Sequence, residues 1–114
     1  MKVKELLLNK NFTLLTKNSD TEIQINDVYI CDLLSWVMSH AGNQCAWITV
    51  QTHTNIVAVA VLLDMACIII PEGIGVEEST LKKASEENLP ILSTNLSTYE
   101  IASIIYESNK NVTK

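Results

Sequence analysis

Residues 45–73, CAWITVQTHTNIVAVAVLLDMACIIIPEG, constrain the fold more than any other stretch of the chain. An apolar run rich in β-branched residues, with Trp47, Ile48 and Val50, breaks at Gln51, Thr52, His53, Thr54 and Asn55, and a second apolar run of helical length follows at once. Ala66 to Ile70 is then continuously apolar, the pattern of a strand covered on both faces, and Pro71 and Gly73 close it. Strand, polar turn, buried helix and strand in that order make one β-α-β unit, which needs a parallel sheet.

The rest of the chain extends this alternation. Met1 to Asn9 reads as a short amphipathic helix, Phe12 to Leu15 as an edge strand, and Lys17 to Asn26 as a polar connector in which Ile23 and Ile25 alternate. Val28 to Cys31 reads as a strand, with Asp32 expected to cap a helix over Leu33 to His40 that Gly42 ends. Asn55 is expected to cap the next helix, running to about Met65. Val76 to Asn88 reads as a surface helix with Leu81 and Ala84 inward, and Ile91 to Ser93 as a last strand. Ser97 then caps a helix whose Tyr99, Ala102, Ile105 and Tyr106 are expected to share a face. The expectation is a single α/β domain over residues 1–108, a three-layer α/β/α sandwich with a mostly parallel sheet, followed by a flexible tail over residues 109–114.

Composition narrows the partners. The longest uninterrupted apolar stretch, Ile56 to Leu63, falls far short of the ~20 residues of a membrane span. The start, MKVKELLLNK, has no long apolar core and no small-residue cleavage pattern, so no membrane association and a cytoplasmic location are expected. Cys31, Cys45 and Cys67 form an odd set within apolar stretches, which fits free buried thiols. Net charge is −5, and all eight basic residues are lysines. Without arginine there is no planar fork for bidentate phosphate or guanine contacts, and the lysines are scattered or beside acids, so no nucleic acid is expected.

Polar groups gather where predicted strands end. Asp32, Thr52, His53, Asn55 and Gly73 are expected to form a ligand-binding edge, with the anionic or polar group of a small molecule facing the helix that begins near Asn55. No catalytic, metal or cofactor set is expected. The thiols sit in predicted strands, nothing in the spacing of His40, His53, Asp32 and Glu72 enforces metal geometry, and Gly73-Ile74-Gly75 completes neither a dinucleotide fingerprint nor a P-loop. The apolar helices at Ile56 to Leu63 and around Trp36 exceed what so small a domain encloses easily, which points to a homodimer.

Three blocks in order, CDLLSWVMSHA, WITVQTHTNIVAVAVLLDMACIIIPEG and LPILSTNLSTYEIA, resemble the stand-alone DRTGG-domain proteins of anaerobic bacteria over roughly residues 1 to 106. The resemblance implies a fold like the N-terminal domain of HPr kinase/phosphorylase. Related domains accompany CBS domains in regulated pyrophosphatases and occur in some phosphotransacetylases, which implies regulation. It implies a binding role for Asp32, Thr52, Asn55, Gly73 and Thr94, and an association with redox or hydrogenase metabolism. The chain departs from the family at its namesake, since it contains no Asp-Arg-Thr-Gly-Gly-like stretch.

The expected function is therefore non-catalytic: a regulatory or ligand-sensing domain that binds a nucleotide or small anionic metabolite, a partner protein, or both. Two rivals stand beside it, a small enzyme using His53 with Asp32 or Glu72 as acid-base groups and a purely structural assembly subunit.

Overall fold

The computed structural model describes residues 1–112. Helix α1 (Val3–Leu6) and strand β1 (Phe12–Leu14) lead into β2 (Asp27–Ile30), α2 (Leu34–His40), β3 (Cys45–Ile48), α3 (Asn55–Leu62), β4 (Cys67–Ile70), α4 (Glu78–Glu86), β5 (Ile91–Thr94) and α5 (Thr98–Val112). The five strands form one sheet in the order β1-β5-β4-β3-β2. All neighbours run parallel except β1, which pairs antiparallel with β5 and matches Phe12 to Thr94.

Alternation along the strands builds two cores. Ala46, Ile48, Cys67, Ile69 and Leu92 face α1 and α5, where Val3, Leu6, Ile101 and Ile105 close the layer. Cys45, Trp47, Ile68, Ile70 and Ile91 face the other way, onto Val37 of α2, Ile56 and Ala60 of α3 and Ala84 of α4. The mostly parallel three-layer sandwich is therefore as expected. Its helices are distributed unevenly, because strands β2 to β5 lie side by side in chain order. With crossovers of constant hand, such an order sends every crossover helix to one face. Helix α5, after the last strand, passes to the opposite face, where α1 also lies.

Several local expectations are corrected. Asp32 does not cap α2: the cap position is Leu33, without a side-chain bond, and the helix ends in extended backbone at Ala41 rather than at a left-handed Gly42. Asn55 lies inside α3, whose cap position, Thr54, also makes no side-chain bond. Ser97 caps α5 as expected, its hydroxyl accepting from the Glu100 N–H at 3.2 Å while Glu100 accepts from the Ser97 N–H at 3.0 Å. The inward face of α5 is Ile101 and Ile105; Tyr99 and Tyr106 are exposed. Helix α5 also continues through Asn109, where fraying was expected, to Val112. Long-range bonds hold it there, since Asn109 accepts from the Met1 nitrogen at 2.6 Å and donates to the Ile25 carbonyl at 3.1 Å. Residues 113–114, the rest of the expected tail, lie outside the described residues.

Cys45 and Cys67 are buried and Cys31 is partly accessible. Desolvation, then the Asp27 charge, pushes the Cys45 thiol from 9.0 up to about 11, and desolvation pushes Cys67 up as well. A raised folded value means that stability is fully present below the unfolded thiol's range and declines as pH climbs through it, because only the unfolded chain ionises. Urea unfolding should therefore show stability falling above about pH 9 by about 1.4 kcal/mol per pH unit for each thiol, levelling for Cys45 near pH 11. A Cys45→Ala/Cys67→Ala variant should lose this slope; an unchanged slope would contradict the assignment.

Candidate functional site

The carboxyl ends of β2 and β3 are tied together by one side chain. Asp32, just past β2, accepts from the Thr49 hydroxyl at 2.8 Å and from the Val50 N–H at 2.9 Å through the same oxygen, Oδ1. Gln51 adds a bond from Nε2 to the Asp32 carbonyl at 3.0 Å, and its N–H reaches the Thr49 hydroxyl at 3.2 Å. Buried Trp47 donates Nε1 to the Cys31 carbonyl at 2.9 Å. This explains why a residue of N-cap type caps nothing here. Its Oδ1 is taken by two donors at the end of the neighbouring strand, and the start of α2 has no side-chain cap.

The carboxyl ends of β4 and β5 are joined differently. Glu72 and Gly73 both take left-handed backbone, with φ of 58° and 69°, and turn the chain back so that their N–H groups donate to the Leu96 and Thr94 carbonyls at 2.9 Å each. Glycine takes the left-handed angle at 73 without strain, and a Cβ there would stand 2.8 Å from Asn95 Oδ1, so that side chain would have to shift. The buried Thr94 hydroxyl accepts from the Leu96 N–H at 3.1 Å.

The six expected site residues thus lie along one edge of the sheet but do not converge on one cavity. Gly73 and Thr94 line a cavity of about 460 Å³ beside β1 and β5. Asn55 lies with Thr54 in a groove of about 580 Å³ between α3 and α4. Asp32, Thr52 and His53 line none of the five cavities described. The Thr52 carbonyl accepts from the buried Thr80 hydroxyl at 2.7 Å, which fixes the turn to α4. The Ile56 and Val57 N–H groups, at the start of α3, are already bonded to the His53 and Thr54 carbonyls at 3.1 Å each, so the expected anion cradle is partly consumed.

The crevice lies one strand further along than the His53 turn. In open α/β sheets a crevice forms where connections from adjacent strands leave to opposite faces. Here β4 sends α4 to one face and β5 sends α5 to the other, and Gly73 and Thr94 mark that junction. Sequence reading also missed Thr49, which bonds Asp32, and Lys10 and Asn95, which line the cavity with Gly73 and Thr94. Thr49 carried a signal, as the one polar residue in an otherwise apolar strand; Lys10 and Asn95 carried none, since their roles depend on the antiparallel return of β1.

Among the described residues no three His, Cys, Asp or Glu side chains gather in metal-binding geometry. His40 instead stacks on Trp36 with ring centroids 3.8 Å apart. No helix among the described residues is long and apolar enough to cross a membrane.

A mostly parallel sheet between two helical layers, with a polar carboxyl edge, defines a small open α/β domain. The DRTGG domain family matches residues 5–108, and the chain belongs to that family. No curated protein matches it. Among solved structures it is similar to the CBS and DRTGG domains of the regulatory region of Clostridium perfringens pyrophosphatase, complexed with the activator diadenosine tetraphosphate. The TM-score is 0.70 at 12% identity, over 87% of this chain and 43% of that one, so this chain spans less than half of its neighbour.

Replacing Asp32 should loosen the β2–β3 end without abolishing the fold. Asp32→Ala should cost about 1–3 kcal/mol in urea unfolding, the range for losing bonds to a charged acceptor and stranding their donors, and Asp32→Asn, which keeps an acceptor oxygen, should cost less. Equal stability of all three proteins would contradict the role of Asp32 as a clamp.

Proposed function

We propose that the chain is a non-catalytic, ligand-sensing regulatory module that works in the cytoplasm as a homodimer and acts on a partner protein. The observation that carries this reading is the position of Asp32 between two surfaces. On one side is the polar carboxyl edge. On the other are apolar side chains exposed around β2, α2 and the end of β3, namely Ile30, Leu33, Trp36, Met38 and Val50, with Leu33 and Trp36 at 61% and 51% exposure. The two are mechanically continuous, because Asp32 lies between Ile30 and Leu33 and holds the Val50 N–H. Strand β2 is also the last strand of the sheet, so its outer edge is unpaired among the described residues, and it is flanked on the opposite face by exposed Tyr106 of α5. Apolar side chains around a free strand edge favour association with another chain. A ligand that shifts the Asp32 loop would change this flank, which is how a domain without chemistry of its own regulates.

Membership of the family supports regulation. The similar pyrophosphatase region was solved with a nucleotide activator, which makes nucleotides the first ligands to screen. Resemblance to stand-alone members suggests redox or hydrogenase metabolism as the setting. The acid-base alternative gains no support from the geometry: Asp32 Oδ1 is occupied by Thr49 and Val50, and His53 lines no cavity described.

Sedimentation at micromolar concentration should show a dimer. Trp36→Asp, at a half-exposed position, should stay folded and weaken association by about tenfold or more by placing a charge in an apolar contact. A monomeric wild type would overturn the dimer, and unchanged dimerisation of Trp36→Asp would move the interface away from α2.

A further inference from the structure

We infer that the cavity beside β1 and β5 is a binding site for a nucleoside monophosphate. This rests on the ligand-sensing reading and adds to it the place and the class of ligand. The cavity follows from the topology: the crossover helices serve β2 to β5, whereas β1 extends the sheet past α4 and leaves a shelf on that face. Ile74 and Leu81 contribute to an apolar wall, and Lys10, Asn11, Ser93 and Asn95 are among the polar residues of the lining.

Charge singles this cavity out. The chain carries a net charge of −5, and each of the other four cavities described has at least one carboxylate in its lining. This one has none, and it has Lys10. Its polar side chains are available as well. Among the described residues the side chains of Lys10, Ser93 and Asn95 make no hydrogen bond or ion pair with the protein. Asn11 is steadied by Asn9, whose Oδ1 accepts from the Asn11 N–H and Nδ2 at 2.9 and 3.0 Å, leaving Asn11 Oδ1 free to accept.

The ligand class follows from those groups. A single lysine offsets one phosphate and not a polyphosphate chain. Two carboxamides offer donors and acceptors together, which matches the mixed edge of a nucleobase, while Ile74 and Leu81 offer an apolar surface to the face of a ring. A volume of about 460 Å³ lies within the usual range for small-molecule sites, roughly 300–1,000 Å³.

Gly75 provides a clean test. It lines the cavity, has no left-handed backbone angle, and a Cβ placed on it meets nothing within 4 Å, so the backbone accepts a side chain there and Gly75→Phe is the variant suited to occupy the space. Titration calorimetry of the intact chain with AMP, GMP, CMP and UMP should show that at least one binds. Gly75→Phe should abolish that binding, and Lys10→Glu should weaken it roughly tenfold or more, the worth of one charge-assisted bond. Thr52→Val and Asn55→Ala should leave it unchanged. Circular dichroism and urea unfolding check that each variant is folded. Failure of all four nucleotides to bind at millimolar concentration overturns this inference. So does binding that survives in folded Gly75→Phe. If binding is instead lost in Asn55→Ala and kept in Gly75→Phe, this cavity is wrong while the ligand-sensing reading stands. That broader reading fails separately, if no metabolite of any class raises the protein's thermal stability.

Discussion

Burial of β3 and β4 on both faces is the constraint on which the rest of the structure depends. Ile68 and Ile70 enter one core, Cys67 and Ile69 the other, and all four are fully enclosed. A strand with two apolar faces must be covered twice, so α1 and α5 are as necessary as the crossover helices. Its backbone groups are spent on the ladder. Polar chemistry is thereby expelled from the middle of the molecule to the strand ends, where backbone and side chains again meet water.

What happens at those ends follows from strand order. Because β2 to β5 lie side by side in sequence, α2, α3 and α4 share a face and no crevice opens at the turn after β3. That turn is instead stitched by Asp32, Thr49 and Gln51 into a rigid corner. The open space moves to β5, where the chain changes faces, and the unpaired edge moves to β2. The cavity beside β1 and β5 and the apolar flank therefore sit toward opposite ends of one sheet edge. With strands about 4.8 Å apart, the three spacings from β2 to β5 put them about 14 Å from each other. Between them Asp32 ties β2 to β3, the Thr49 N–H bonds the Ile69 carbonyl of β4 at 3.3 Å, and Gly73 ties β4 to β5.

The layered architecture was legible in the sequence because burial on two faces leaves a local mark: Ala66 to Ile70 contains no polar residue at all. The Ser97–Glu100 cap was legible for the same reason, since both partners lie within one turn. Asp32 was misread because its partner Thr49 is 17 residues away, and an aspartate before a helix looks alike whether it caps or clamps. The α5 face was misread because Tyr99 fits helical spacing with Ala102 and Tyr106 just as Ile101 does with Ile105, and which set turns inward depends on where the sheet lies. Order at Asn109 depends on Met1 and Ile25, which no local pattern links to it. The six expected site residues lie along one edge of the sheet, but their separation into distinct surfaces depends on the face that α5 takes, a property of the whole topology.

Amide hydrogen exchange across a dilution series tests most directly whether the flank of β2 carries a second copy of the chain. At high concentration residues 27–38 should be protected relative to the diluted protein, and in Trp36→Asp the protection there should be low at every concentration. Exchange across these residues that is indifferent to both dilution and the substitution would contradict the account, leaving the apolar flank without the partner that explains it.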